Sequence, residues 1–478
     1  MTATATATTT ARTELLVDGT WRRPASGGVT EVENPATGEV VGTSAEGTAP
    51  DVDLAVEAAR RAFAGWSTTA LEARLEVLGR WAALLDQRRE LLVETVVAEV
   101  GAPVALAREA HVGMALEVLG AYLAEAAAVP WEQRIGSSLV LREAVGVAAC
   151  ITPWNWPLYQ VLAKIGGALV AGSTVVLKPA ELTPLSAYLL ADAALDAGLP
   201  AGVLNLVPGS GRVVGEAMVT HPDVDVVSFT GSTGVGVRIS QLAAPDVKRV
   251  CLELGGKSAS VVLPGADLDV AVPASVQGAM LNSGQTCSAW SRLLVPDELL
   301  PAVLERAAAE AEQLVPGDPA APGTSLGPVV SAAQRATVTG FVERARAAGA
   351  RVLTGGERNP CDRGHFVAPT VVTDVAQDAE IVQQEVFGPV LTIQGYADVD
   401  QAVALANDSA YGLHGAVWAE DRERALGVAR RLRTGQVDVN GAAFNPAAPF
   451  GGYGRSGNGR ELGRYGIEEF LETKSVQL

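Results

Sequence analysis

The sequence predicts an α/β fold with two parallel-sheet domains, and three observations carry that prediction. After Arg142, short apolar runs alternate with helical segments and are separated by Gly and Pro. The alternation starts afresh near Ser258, just past Gly255-Gly256. The 478 residues, 48% hydrophobic and 19% charged, also supply apolar material for more than one core. Strands alternating with helices at this spacing build a parallel sheet covered on both faces.

The elements follow in order. MTATATATTT is a Thr/Ala tract with neither a basic start nor an apolar core, so residues 1–13 read as a disordered tail rather than a signal peptide. Glu14-Leu15-Leu16-Val17 followed by Asp18-Gly19 is a strand and turn. From Asp51 to about Val100 the pattern is helical: Leu71, Leu75, Leu78, Trp81 and Leu85 recur at three- and four-residue steps until Gly101-Ala102-Pro103. Another helical stretch reaches about Ala128, where Val129-Pro130 ends it.

Beyond Arg142, Val145 to Ala148, Ser173 to Leu177, Val203 to Val207 and Val224 to Phe229 read as buried strands. Helices are expected between them, from Leu158 to Val170, Pro184 to Ala197 and Val213 to Val219. The second domain repeats the pattern with strands at Ser260 to Leu263 and Leu293 to Val295. Its helices run from Val272 to Leu281 and onward from Leu299 and Ala332. Glu472 to Leu478 alternates like an edge strand, and an exposed edge at a terminus calls for a partner such as another subunit.

Composition excludes several functions. Lys plus Arg number 36 against 54 Asp plus Glu, a formal charge of −18 that repels nucleic acid and anionic lipid. No apolar run approaches the roughly 20 residues of a membrane span, so a soluble chain without nucleic-acid or membrane partners is expected. Cys150, Cys251, Cys287 and Cys361 are too few for a disulfide framework, which suits a reducing, cytoplasmic setting. His111, His221, His365 and His414 show no metal-ligand spacing, so no metal site is expected.

Five segments can carry chemistry, each with a plainer reading beside it. Phe229-Thr-Gly231-Ser232-Thr-Gly234-Val-Gly236 runs from a strand into a helix, with glycines for close approach and Ser232 as cap. It is either a phosphate-binding turn or an ordinary strand-to-helix connection. Gly209-Ser-Gly211-Arg-Val-Val-Gly215 misses the dinucleotide fingerprint by one residue and reads as a loop beside a cofactor or a bland turn. Lys178-Pro-Ala-Glu181 puts a carboxylate after a strand, where it can hold both ribose hydroxyls of an adenosine and repel a 2′-phosphate. Equally, it can be a solvated loop. Gly284-Gln-Thr-Cys287 places a thiol after a glycine break, either facing a cleft or buried as a small hydrophobe like Cys150 and Cys251. Leu252-Glu253-Leu254-Gly255-Gly256-Lys257 sets an acid among leucines, where desolvation raises its pKa toward that of a general base. The alternative is a turn cap or a pair with Lys257.

In this order and spacing the segments resemble the NAD(P)-dependent aldehyde dehydrogenase superfamily. The resemblance adds Ile151-Thr152-Pro153-Trp154-Asn155-Trp156-Pro157, Glu385-Val-Phe387-Gly-Pro389 and Pro449-Phe-Gly-Gly452, and covers nearly all the chain after the tail. It implies two Rossmann-like domains. The NAD-binding domain would take residues 14–121 and 145–256, the catalytic domain 257–456, and a small β oligomerisation arm 122–144 and 465–478. A homodimer or homotetramer follows.

The resemblance also implies roles. Cys287 would add to the aldehyde, and the Asn155 amide would hold the oxyanion. Glu253 would activate the water that hydrolyses the thioester, with Lys164 and Glu461 relaying protons. Cofactor contacts would come from Thr152, Pro153, Trp154, Lys178, Glu181, Gly211, Gly231, Ser232, Gly236, Leu254, Glu385 and Phe387. Glu181 favours NAD over NADP. The substrate tunnel would draw on Trp156, Tyr159, Gln160, Trp290, Phe444 and Asn445. With no Arg or Lys among them, uncharged aliphatic or aromatic aldehydes are expected rather than semialdehydes. Gly234 replaces an acidic residue frequent in the phosphate turn, Trp156 stands where Phe is commoner, and only one cysteine occupies the nucleophile segment. The alternatives are a coenzyme A-acylating enzyme, an inactive structural homologue, or a thioesterase using Cys287 without nicotinamide.

Overall fold

The computed structural model describes residues 10–356 and 359–478. Most of the Thr/Ala tail lies outside the described residues. Its last part does not stay free, because Thr10–Arg12 pairs in parallel with Val40–Ala45.

The first sheet has eight strands, in the order Gly457–Asn458, Arg249–Glu253, Val226–Thr230, Val147–Ile151, Thr174–Lys178, Leu204–Leu206, Leu15–Val17 and Thr20–Arg22. The run from Arg249–Glu253 to Leu204–Leu206 is parallel. Helices cover both faces, which is why these strands read as unbroken apolar runs. In chain order the strands step outward from Val147–Ile151 to Leu204–Leu206. The chain then crosses back to lay Val226–Thr230 on the other side of Val147–Ile151. Order reverses between those two strands, and their diverging carboxyl-terminal loops leave a crevice.

Pro157–Ala171 is buried along its whole length. It lies close to its neighbours because Gly166 and Gly167 have no side chain. A Cβ on either would come within 2.8 Å of the Tyr122 ring or the Gly466 carbonyl. Gly172 ends this helix in the left-handed conformation at φ 94°.

The second sheet has seven strands, in the order Arg351–Thr354, Thr370–Thr373, Val390–Tyr396, Arg292–Pro296, Ala259–Val262, Gly415–Trp418 and Asp438–Val439, and only the first is antiparallel. The chain passes from one sheet to the other through residues 254–258.

Several expectations shift. The strand expected from Val145 starts at Val147, because Gly146, at φ 133°, turns the chain against Asp225. The helical stretch from Asp51 to Val100 is three helices, Ala49–Trp66, Leu71–Gln87 and Arg89–Val100. The helix expected from Val272 begins at Leu268, capped by the Asp267 side chain. Two segments are π-helical, Ala107–Met114 and Gly211–Gly215.

The arm is shorter than expected at both ends. Tyr122 belongs to the helix Ala115–Glu125, fully buried with its hydroxyl donating to the Ala163 carbonyl at 2.5 Å. Tyr465 lies in the helix Gly463–Glu468. What projects is a three-stranded antiparallel sheet in which Ser138–Ala144 sits between Glu132–Ile135 and Leu471–Gln477.

Candidate active site

The crevice opens into a cleft of about 740 Å³. Thr152, Pro153 and Trp154 line it from one strand end, Lys178 and Glu181 from the next, Gly211 from a third, and Gly231 with Ser232 from the fourth. Ser232 caps the helix Thr233–Ala243, its Oγ accepting from the Val235 N–H at 3.4 Å, so the first turn aims its free N–H groups at the cleft. Glu181 accepts from the Gly211 N–H at 2.9 Å, which ties these two loops of the cleft together. Lys178 donates to the Pro179 carbonyl at 2.9 Å, and burial pulls its ammonium down to about 8. The Thr152 and Thr230 hydroxyls are buried without a hydrogen-bond partner. Such groups normally find one, and the cleft is where a ligand would supply it. Gly236 departs from expectation: it lies behind the cleft, where a Cβ would sit 2.7 Å from Leu254, so it is a packing glycine.

A second cavity of about 250 Å³ shares Trp154, Gly231 and Ser232 with the cleft and extends to Asn155, Leu254, Glu385, Phe387 and Cys287. The diglycine is required here. A Cβ on Gly255 would meet Glu385 Oε2 at 2.0 Å, and one on Gly256 would meet the Cys287 carbonyl at 2.4 Å. The Gly256 N–H donates to Glu385 Oε1 at 3.1 Å, while burial pushes this carboxyl up to about 7. Phe387 takes the left-handed conformation at φ 55° and meets Trp154 edge-on, with ring centroids 5.3 Å apart.

Cys287 follows a tightly wound loop. Asn282, Ser283 and Gly284 are all left-handed, at φ 54°, 58° and 71°. Ser283 donates to the Gly327 carbonyl and the Asn282 side chain to the Asn155 carbonyl, both at 2.8 Å. Burial and the nearby Glu385, Glu253 and Glu461 hold the Cys287 thiol well above its ordinary pKa. Asn155 donates one amide hydrogen to the Gln285 carbonyl at 2.9 Å, which fixes the amide and leaves its second hydrogen. His111, stacked on Trp156 at 4.0 Å, is held neutral by burial, with its pKa near 3.

Glu253 stands apart from this group. It lines a small interior cavity with Lys164 and Glu461 rather than the wall shared by Cys287 and Asn155. Neither of its oxygens has a hydrogen-bond partner, and it does not pair with Lys257. Burial first, then Glu461, pushes its carboxyl far up. Lys164 donates to Glu461 at 2.5 Å, fully buried, leaving the other Glu461 oxygen free of partners.

On the opposite side of Cys287 lies a third cavity, of about 230 Å³, lined by Trp156, Tyr159, Gln160, Trp290 and Phe444, five of the residues the sequence grouped as a tunnel. Asn445 is not on its wall; its Oδ1 accepts from the Ala447 N–H at 3.0 Å, closing a turn. Met114, His414, Gln436 and Asp438 line the cavity and were not expected. One signal was available for two of them, since Gln436 and Asp438 alternate and so share a face if the segment is extended.

The cleft, the second cavity and its diglycine cradle fit an extended dinucleotide, and the comparisons agree. Residues 21–476 match the model of the aldehyde dehydrogenase family. A 3-succinoylsemialdehyde-pyridine dehydrogenase from a Pseudomonas species is 47% identical over 97% of this chain and 98% of its own length. Aldehyde dehydrogenase C from Pseudomonas syringae, solved with NAD+ and octanal, superposes with a TM-score of 0.96 at 47% identity, covering 97% of this chain and 96% of that one. A Mycobacterium tuberculosis aldehyde dehydrogenase in complex with NAD+ gives 0.97 at 40% identity, covering 98% and 99%. Among the described residues no helix is long and apolar enough to cross a membrane. The chain belongs to the aldehyde dehydrogenase family.

Proposed function

We propose that the chain oxidises an uncharged aliphatic or aromatic aldehyde to its carboxylic acid through a covalent intermediate on Cys287. The observation that carries this reading is that Cys287, alone among the described residues, lines both the 250 Å³ cavity continuous with the dinucleotide cleft and the apolar cavity across from it. A sulfur in that wall can hold a carbonyl carbon with its C–H bond toward the cofactor.

The resting thiol is protonated, so its proton leaves as the S–C bond forms. Glu253 is not placed to take it, being held protonated by burial and facing its own interior cavity, so water in the aldehyde cavity carries that proton to solvent. As the carbonyl electrons shift onto oxygen, the second Asn155 amide hydrogen and the Cys287 N–H hold the oxyanion. NAD, when bound, supplies the hydride acceptor. Loss of the hydride leaves a thioester on Cys287. Glu253, its own proton first passed toward the Lys164–Glu461 pair, then takes a proton from the water that attacks the thioester, the C–S bond breaks, and the acid departs. Lys164 and Glu461, buried beside Glu253, pass the surplus proton on.

The cofactor groups would be held by the residues on the two cavity walls. Lys178 and Glu181 take the adenosine ribose, Ser232 the pyrophosphate, Glu385 the nicotinamide ribose, and Phe387 packs beside the ring. Glu181 disfavours a 2′-phosphate, hence NADP. The relatives' names, one a 3-succinoylsemialdehyde-pyridine dehydrogenase and one an enzyme solved with octanal, support an aldehyde without a second carboxylate. Leu471–Gln477 keeps one free edge in its sheet, which supports a homodimer or homotetramer; a monomer by sedimentation at micromolar concentration would refute that. The free cysteines suit a cytoplasmic setting.

Glu253→Gln tests the chemistry. A burst of about one NADH per active site should survive, followed by turnover lowered about 10²–10⁴-fold as the thioester waits for a base. Full steady-state turnover would remove Glu253 from the mechanism.

A further inference from the structure

The aldehyde cavity holds two polar stations that neither carbonyl addition nor thioester hydrolysis uses. The first is Gln160, 2% exposed, on the cavity wall, with its Oε1 buried and without a hydrogen-bond partner. A buried amide left unpaired in an apolar pocket is the feature that normally orients a ligand. The second is His414 with Asp438. Asp438 Oδ2 lies 3.1 Å from His414 Nε2, and its Oδ1 accepts from Gln436 Nε2 at 3.1 Å. Trp290 Nε1 approaches His414 Nδ1 at 3.3 Å, and that nitrogen also lies 3.1 Å from the carbonyl of Ser288, the neighbour of Cys287. The rest of the wall is chiefly aromatic and aliphatic, and it contains neither Lys nor Arg.

We propose that Gln160 and the His414–Asp438 pair form a polar subsite selecting aldehydes that carry an uncharged hydrogen-bonding group, above all a hydroxyl, on an otherwise apolar skeleton. A hydroxyl both donates and accepts, so it satisfies the Gln160 amide in either orientation. A carboxylate-terminated aldehyde is turned away, because it would be desolvated beside Asp438 with no cation to pair it. The inference rests on this cavity being the aldehyde site.

The test is a matched series of hexanal, 6-hydroxyhexanal and 6-oxohexanoate with NAD, read as kcat/KM from NADH absorbance. The hydroxyaldehyde should exceed hexanal by about tenfold, and 6-oxohexanoate should come last. Gln160→Leu should cut the hydroxyaldehyde-to-hexanal ratio about tenfold, chiefly through KM, since the bond is made equally in ground and transition states. Asp438→Asn should narrow the gap between hexanal and 6-oxohexanoate. Equal use of hexanal and 6-hydroxyhexanal by the wild type, a ratio unmoved by Gln160→Leu, or preference for 6-oxohexanoate overturns the subsite while leaving aldehyde oxidation intact. No NADH from any of the three sinks both. The wild-type ratios decide the matter even where a variant fails to fold.

Discussion

The cavities on the two sides of Cys287 share that residue and little else in their construction. On the cofactor side the wall is made of strand-end loops, whose glycines, N–H groups and short polar side chains come in contiguous stretches such as residues 151–155, 229–232 and 254–255. On the aldehyde side single side chains arrive from many separate elements, from Met114 to Phe450. A site built from backbone is fixed by topology and serves one invariant ligand. A site built from side chains can be refitted by single substitutions without disturbing the sheet.

Cys287→Ala is the sharpest cut between them. It should lower aldehyde oxidation by about 10⁴-fold or more, because the covalent route is lost. Cofactor affinity, measured by quenching of tryptophan fluorescence, should stay within about twofold. If NAD binding collapsed with it, the cofactor cavity would depend on the thiol loop and the separation drawn here would fail.

Asn155→Ala probes the boundary itself. In the proposed mechanism its amide holds the oxyanion, while its own carbonyl receives the Asn282 side chain at 2.8 Å. Loss of an oxyanion donor costs about 10²–10³ in kcat. Because the Asn282 bond is to backbone, the loop should keep its shape, and KM for the aldehyde should move little. A large KM change with kcat preserved would mean that Asn155 positions substrate rather than charge.

This asymmetry also decided what the sequence could disclose. The motif segments each lie within a dozen residues, so their glycines and acids were readable, and the structure brings most of them to the crevice and its inner cavity, Glu253 and Gly236 excepted. Lys164 and Glu461 are almost 300 positions apart and emerged only through family likeness. His414 and Asp438 carry no local motif; what makes them neighbours is the parallel pairing of Gly415–Trp418 with Asp438–Val439. The left-handed run at Asn282 and Ser283 was also hidden, since neither residue type demands that conformation and the hydrogen bonds that hold it go to residues distant in the chain, Asn155 and Gly327. Gly236 misled for the opposite reason: a glycine in a phosphate-turn pattern has the same letter whether it admits a ligand or a leucine.

The smallest expected effect separates the two ends of the cofactor site. Glu385, brought up to about 7 by burial, is largely protonated below that pH and ionised above it. If Glu385 holds the nicotinamide ribose as proposed, only the ionised carboxylate offers both oxygens as acceptors, so NAD affinity should rise as pH climbs from 6 through 7. At the adenosine end the sign is reversed. Lys178, pulled down to about 8, is charged below that pH and loses its charge above it, weakening its hold on the ribose. Lys257, at about 7 and an electrostatic neighbour of Glu385, also discharges over the lower window and blunts the rise. Affinity should therefore peak between about pH 7 and 8, several-fold above its value at pH 6, by calorimetric titration. Glu385→Gln should remove the rising limb and leave the falling one, whereas a rising limb that survives the substitution would place the ionisation elsewhere.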